Sequence, residues 1–106
     1  MKKQSRDDQT TKLTLVSVLD ALADPVRLEI VRQLSTEGEK ACGLFGIEMP
    51  KSSLSHHFTV LRRTGIIDST NHGTLIMNRL RSEDLEYQFP GLLKSVLAAA
   101  KKEHKR

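Results

Sequence analysis

The stretch that decides the fold is residues 50–67, PKSSLSHHFTVLRRTGII. Leu54, Phe58 and Leu61 recur in it at i, i+4 and i+7, the inward stripe of an amphipathic helix over residues 50–64, and Gly65 stands where a C-terminal cap belongs. With successive residues about 100° apart around the helix, Ser52, His56, Thr59 and Arg63 fall on the opposite face, with Ser55 and Arg62 on one flank. No acid stands between Met49 and Ile67. A short, polar, acid-free face suits a DNA major groove about 12 Å wide, where Ser and Thr bond base edges or phosphates and carboxylates are repelled. Lys51, Ser52 and Ser53 occupy the first turn, where free backbone N–H groups and the helix dipole favour an anion such as phosphate. The alternative for Ser53 is that it only satisfies the helix N-terminus.

The neighbouring His57 lies about 60° from the apolar stripe, which predicts a partly buried ring bonded to another element rather than a base contact. Adjacent histidines point about 100° apart and do not clamp one metal from one helix. Ser52 and His56 stand at i, i+4, but no acid orients the histidine locally and no Gly-x-Ser-x-Gly context surrounds the serine, so the chain is not expected to be an enzyme.

Upstream of this helix, residues 39–45 are apolar at Ala41, Leu44 and Phe45 and are followed by Gly46. Two short helices joined by a tight Gly-containing turn make a helix-turn-helix by element order. After Gly65 the period changes to that of strands: residues 66–70 and 74–80 flank Asn71-His72-Gly73, a hairpin that forms a wing. Further upstream, Leu15, Leu19, Leu22 and Val26 form one helical stripe, with Val16 and Ala23 beside it. Asp24 as N-cap and Pro25 at the first helical position start a new helix running through Val26, Ile30, Val31 and Leu34 to a loop at Ser35-Thr36-Glu37-Gly38. Downstream, Ser82 with Glu83 and Asp84 marks a helix start, and Leu85, Phe89, Leu92, Leu93, Val96, Leu97 and Ala100 continue it with an interruption at Pro90-Gly91.

The fold class expected is mainly α with a small β-hairpin, a winged helix-turn-helix that dimerises through its N- and C-terminal helices. Residues 1–12 read as a flexible polar arm, 13–100 as the single domain and 101–106 as a basic tail. The terminal apolar stripe is wide for a chain of 106 residues, whose own core buries only about 60–65% of its unfolded surface. A dimer seam is therefore expected from Leu15, Leu19, Leu85, Phe89, Leu92, Leu93, Val96 and Leu97, the alternative being an intramolecular core.

Composition narrows the function further. Trp is absent and aromatics are 4%, against stacking platforms for single strands. One Cys excludes an internal disulfide framework and any multi-cysteine metal site, and fits a reducing cytosol. No apolar run approaches the roughly 18 residues that span a bilayer, and the start, MKKQSRDDQTTK, lacks an apolar signal core, so a cytoplasmic protein without a membrane partner is expected. Between Met49 and Ser82, Lys51, Arg62, Arg63, Arg79 and Arg81 face the single acid Asp68, so this stretch carries the whole net charge of +4. A localised basic patch of this kind fits a phosphate-binding surface.

The run ALADPVRLEIVRQL at 21–34, the helix PKSSLSHHFTVLRRTGII and the Gly-turn hairpin ending MNRL at 77–80 together resemble the ArsR/SmtB family of winged helix-turn-helix repressors, over about residues 13–98. The resemblance implies a homodimeric bacterial repressor, bound to an inverted-repeat operator of double-stranded DNA and released by a signal. It places Lys51, Ser52, Ser55 and His56 where the family reads bases, Asn71-His72-Gly73 at the wing tip, and residues 13–22 and 85–100 in the dimerising helices. The full DNA-binding set expected is Lys51, Ser52, Ser53, Ser55, His56, Thr59, Arg62, Arg63 and His72.

This chain departs from the family pattern in two places. Its wing tip lacks the Arg and Lys usual in relatives, and where metal-sensing members carry paired cysteines it offers only Cys42, with only His104 on the last helix. No metal or other cofactor is expected, and the sequence does not identify the small-molecule or redox inducer. Cys42 leaves open a redox-responsive repressor acting through sulfenylation, a mixed disulfide or an intersubunit bridge, against an inert cysteine packed as a small hydrophobe. A rival of another class is a protein-interaction module that uses the Leu85–Ala100 stripe to bind a partner helix.

Overall fold

A computed structural model describes residues 13–104; the polar arm at 1–12 and the last two residues of the basic tail lie outside the described residues. Helix α1 spans Leu15–Leu22, started by Thr14, whose Oγ1 accepts the Ser17 N–H at 3.2 Å. Helix α2, Pro25–Glu37, begins as the sequence predicts: Asp24 Oδ1 accepts the N–H groups of Val26 and Arg27 at 2.8 and 3.1 Å, and Pro25 takes the first position, where no N–H is needed. Ser35, Thr36 and Glu37, expected in a loop, remain helical, and the turn comes at Gly38, whose φ of +84° suits glycine.

Between α2 and the decisive helix the structure differs from expectation. Lys40–Ala41 form a short strand β1, followed by a single 3₁₀ turn at Cys42–Leu44 in place of a regular first helix for the helix-turn-helix. The apolar residues here are too few, and the glycines at 43 and 46 too close, to sustain an α-helix. Helix α3 is Lys51–Arg63, with Pro50 at its N-cap. It ends in a Schellman arrangement: Ile66 N–H reaches the Leu61 carbonyl, Gly65 N–H reaches that of Arg62, and Gly65 takes φ +85°.

Strands β2, Ile67–His72, and β3, Leu75–Leu80, pair antiparallel with His72 opposite Leu75. The turn is thus Gly73-Thr74, two residues later than the Asn71-His72-Gly73 turn begins in the sequence reading. Gly73 alone has positive φ, the sign pattern of a type II′ turn. β1 joins the far side of β3, giving a three-stranded antiparallel sheet in the order β1-β3-β2 where a two-stranded wing was expected.

Helix α4 is Ser82–Gln88; Arg81, not Ser82, occupies its N-cap, and no side chain caps it. Phe89 ends α4, Gly91 turns with φ +82°, and α5 runs Leu92–His104, carrying the helix into the basic tail.

Val18, Ala21 and Leu22 of α1, Ile30, Val31 and Leu34 of α2, Phe45, Phe58 and Leu61, and Ile66, Ile67 and Leu80 make one core. Leu85 belongs to it as well. Expected at a subunit seam, it is only 3% exposed within the single chain, because α4 lies directly against the core and Leu85 is its one inward residue. Leu15 and Leu19 remain 46% and 44% exposed, with Val16 more exposed still. Phe89, Leu92, Leu93, Val96 and Leu97 are partly buried against the core from outside.

Burial pushes the Asp24 carboxyl up, but the backbone N–H groups of Arg27 and Val26, the nearby His57 ring once it is protonated in acid, and the Arg27 charge outweigh it and hold it below its ordinary value. A group depressed in this way stabilises the fold above the unfolded value and ceases to do so as pH falls through the folded one. Asp24→Ala should therefore cost about 1 kcal/mol at neutral pH. In urea titrations at decreasing pH, the gap between wild type and variant should close only in strong acid.

Candidate nucleic-acid interface

Helix α3 is seated by Phe58 and Leu61, both buried, with Leu54 half-buried beside them. Phe58 meets Phe45 edge-on, the ring centroids 5.3 Å apart and the planes at 66°. This seating turns Lys51, Ser52, Ser55, His56 and Arg63 out to solvent on one acid-free face, while Ser53, Thr59 and Arg62 are half-buried along its edges. His72 stands exposed at the end of β2, its Nε2 3.1 Å from Thr70 Oγ1, beside the wing turn.

Besides His72, two members of the expected set on α3 are engaged within the protein through their side chains. Arg62 donates from Nη2 to Thr59 Oγ1 at 3.2 Å and from Nη1 to Ser69 Oγ on β2 at 3.4 Å, while Thr59 Oγ1 donates to the Ser55 carbonyl. Ser69 Oγ then donates to Asn78 Oδ1 at 2.7 Å, and Asn78 Nδ2 donates to the Lys40 carbonyl at 3.1 Å and lies 3.2 Å from Cys42 Sγ. The chain Thr59–Arg62–Ser69–Asn78 ties α3 to all three strands. Asn78 is wholly buried. Neither Ser69 nor Asn78 was singled out from the sequence, although period-2 alternation puts Asn78 on the same face as buried Leu80, and a polar residue there signals a buried partner.

His57 meets the expectation of a bonded, partly buried ring: its Nδ1 is 3.1 Å from Arg27 Nη1 and 3.9 Å from Asp24 Oδ1, both from α2. Cys42 is half-buried, and with Lys51, Leu54, Ser55, Arg62 and Ile76 it lines a cavity of about 330 Å³ between α3 and the wing. Among the described residues no three His, Cys, Asp or Glu side chains converge as metal ligands, and no helix is long and apolar enough to cross a membrane.

The basic stretch looks different once its partners are placed. Arg79 is paired with Asp68 across the β2–β3 ladder, and Arg81 with Asp84 at 2.7 Å in the first turn of α4. Lys51 and Arg63 are left without a partner among the described residues, and both lie on the outward side of α3.

A short 3₁₀ turn, then a helix that presents an acid-free polar face, then a β-hairpin follow the element order of a winged helix-turn-helix DNA-binding protein, the 3₁₀ turn standing where the first helix of the pair belongs. A family model described as bacterial regulatory protein, arsR family, matches residues 24–69, from the α2 cap into the wing. The HTH-type transcriptional regulator YceK of Bacillus subtilis is 32% identical over 97 residues, spanning 89% of this chain and 92% of that protein. The transcriptional repressor BigR from Xylella fastidiosa is similar in structure, with a TM-score of 0.58 at 28% identity over 81% of this chain and 97% of that one. HlyU from Vibrio cholerae shares the fold, with a TM-score of 0.66 at 24% identity over 86% and 91% of the two chains. The chain belongs to the ArsR family of DNA-binding transcriptional regulators.

Because Asn78 is buried and bonded through both its amide oxygen and nitrogen, Asn78→Ala should destabilise the protein by about 2–3 kcal/mol, chiefly through loss of its bonds to the Lys40 carbonyl and from the Ser69 hydroxyl. Urea denaturation measures the loss, and amide exchange should accelerate first in the β2–β3 ladder.

Proposed function

We propose that the protein is a cytoplasmic repressor that binds an inverted-repeat operator as a homodimer, each copy laying α3 in a major groove. The observation that carries this reading is the outward face of α3, on which Lys51, Ser52, Ser55, His56 and Arg63 lie together without a carboxylate. Ser52, Ser55 and His56 have the donors and acceptors to read base edges, with Ser53 at the helix entry, and Lys51 and Arg63 reach phosphates. Arg62 and Thr59 contribute from the edge of the face, where their own bonds hold the wing at a set distance from the helix. His72 adds a wing contact that is uncharged when its ring is neutral.

Dimerisation is supported by the solvent-facing apolar side chains of α1, Leu15, Val16 and Leu19, alongside the half-buried Phe89, Leu92, Leu93, Val96 and Leu97. A single chain that leaves this much apolar surface open gains by pairing it with a second copy. Two copies with twofold symmetry set half-sites about 34–36 Å apart, and occupancy of such a site blocks polymerase. The repressor role is supported by the likeness to BigR, which is named a transcriptional repressor.

DNA selected from a random pool should contain an inverted repeat. On it, Ser55→Ala and His56→Ala should each weaken binding by about 1–3 kcal/mol while leaving scrambled duplex little changed, and Arg63→Ala should weaken both equally. Equal losses on both duplexes for His56→Ala would remove it from base reading. With two free cations per subunit, log K against log salt should have a slope of about −4, rather than the roughly −9 expected if all five basic residues of each subunit met phosphate. Leu19→Asp should shift the protein to monomer in sedimentation and reduce operator affinity about a hundredfold.

A further inference from the structure

The flank of α3 away from the wing carries a polar contact that neither family membership nor base reading accounts for. His57 sits one residue from the reading face, with its side chain 13% exposed, and turns inward to the N-terminus of α2. Arg27 is itself fixed, because its Nε donates to the Ala21 carbonyl at 2.7 Å, so Nη1 is presented to His57 Nδ1 at 3.1 Å from a held guanidinium. A guanidinium has only donors. The contact therefore requires an unprotonated Nδ1, which makes the ring neutral with its proton on Nε2.

The groups facing the ring are Arg27 and Asp24 from α2 and His56 from its own helix, the two imidazole centroids being 5.9 Å apart. A proton on Nδ1 abolishes the acceptor and sets two cations against each other. The protonated ring has one alternative partner, Asp24, but Asp24 Oδ1 lies 3.9 Å away and already accepts two backbone N–H groups. A hydrogen bond to it requires the ring to move away from Arg27 and toward Asp24, which gives up the contact that ties α3 to Arg27 of α2.

We propose that His57 is a positioning residue for DNA recognition: its neutral ring, held by Arg27, sets the orientation of α3, and protonating it releases the reading face from that orientation. The proposal rests on the reading of α3 as the DNA-contacting helix. It makes operator binding weaken in acid by an intramolecular route, opposite in sign to the exposed His56 and His72, whose protonation adds positive charge facing DNA.

The test compares the full-length wild type with His57→Asn, which keeps an acceptor near the Nδ1 position but does not titrate, and with His57→Leu, which keeps bulk without an acceptor. Binding to a duplex selected by the wild type at about pH 7.5 is measured by fluorescence anisotropy there and at about pH 5.5, across the range where histidine changes charge. His57→Asn should bind nearly as well as wild type at the higher pH, and His57→Leu more weakly. On acidification the wild type should lose about tenfold relative to His57→Asn, as expected for one hydrogen bond to a charged group. Parallel pH profiles for wild type and His57→Asn would overturn the proposal. Thermal unfolding without DNA is recorded at the same two pH values. Wild type should lose more in melting temperature than His57→Asn, and an equal loss would also overturn it. A difference in melting with no difference in binding would separate His57 from recognition and sink the positioning role. If no form of the protein retains DNA at either pH, the DNA reading fails, while the melting comparison still decides whether His57 holds α3 through Arg27.

Discussion

The contact between Phe45 and Phe58 constrains everything the interface does. Phe45 lies just beyond the 3₁₀ turn, Phe58 at the middle of α3, and their edge-on packing fixes the helix against the core through its apolar stripe. Burying the faces of two aromatic rings is worth several kcal/mol, far more than any polar contact on this helix. Once Phe58 and Leu61 are committed inward, 3.6-residue geometry leaves no freedom about which residues face out. The short 3₁₀ turn serves as well as a full helix here, since its task is to deliver Phe45 to that position and return the chain to Pro50.

Electrostatics shows why net charge is a poor measure of an interface. The stretch between Met49 and Ser82 holds the whole formal excess, yet Arg79 and Arg81 are matched to Asp68 and Asp84 and Arg62 is bonded to hydroxyls. Exposed pairs of this kind contribute little to stability, but they cancel the local field that a phosphate would feel. What distinguishes the outward side of α3 is the absence of acid more than an abundance of base. That balance favours discrimination by hydrogen bonds over strength from counterion release.

Much of this was legible in the sequence because it depends on local periodicity and capping. The amphipathic pattern of Leu54, Phe58 and Leu61, the Asp24-Pro25 start and the Gly65 stop are each encoded within one helical turn of the feature they produce. Features set by distant partners were not legible. Lys40–Ala41 are too short to show an alternating pattern, and they become a strand only because β3 offers a free edge. Leu85 shares its spacing with the residues of α5, and periodicity carries no information about which of them the chain covers itself. The engagement of Arg62 with Ser69 spans seven residues and a turn, and that of Asn78 with Cys42 spans thirty-six, beyond any local rule.

Apolar burial and polar contacts divide the work of holding α3. The hydrophobic effect is roughly proportional to area and has no direction, so a helix seated by Phe58 and Leu61 alone retains freedom to roll by small angles about its axis at little cost. Hydrogen bonds weaken steeply as their angles close, and they are therefore the contacts that resist roll. On one flank Arg62 reaches Ser69 of the wing; on the other His57 meets Arg27 of α2. Held from both sides by bonds to different elements, the face carrying Ser52, Ser55 and His56 cannot turn without breaking one of them. The two lateral ties thus fix the direction in which this face points, while the core supplies the stability that lets them form.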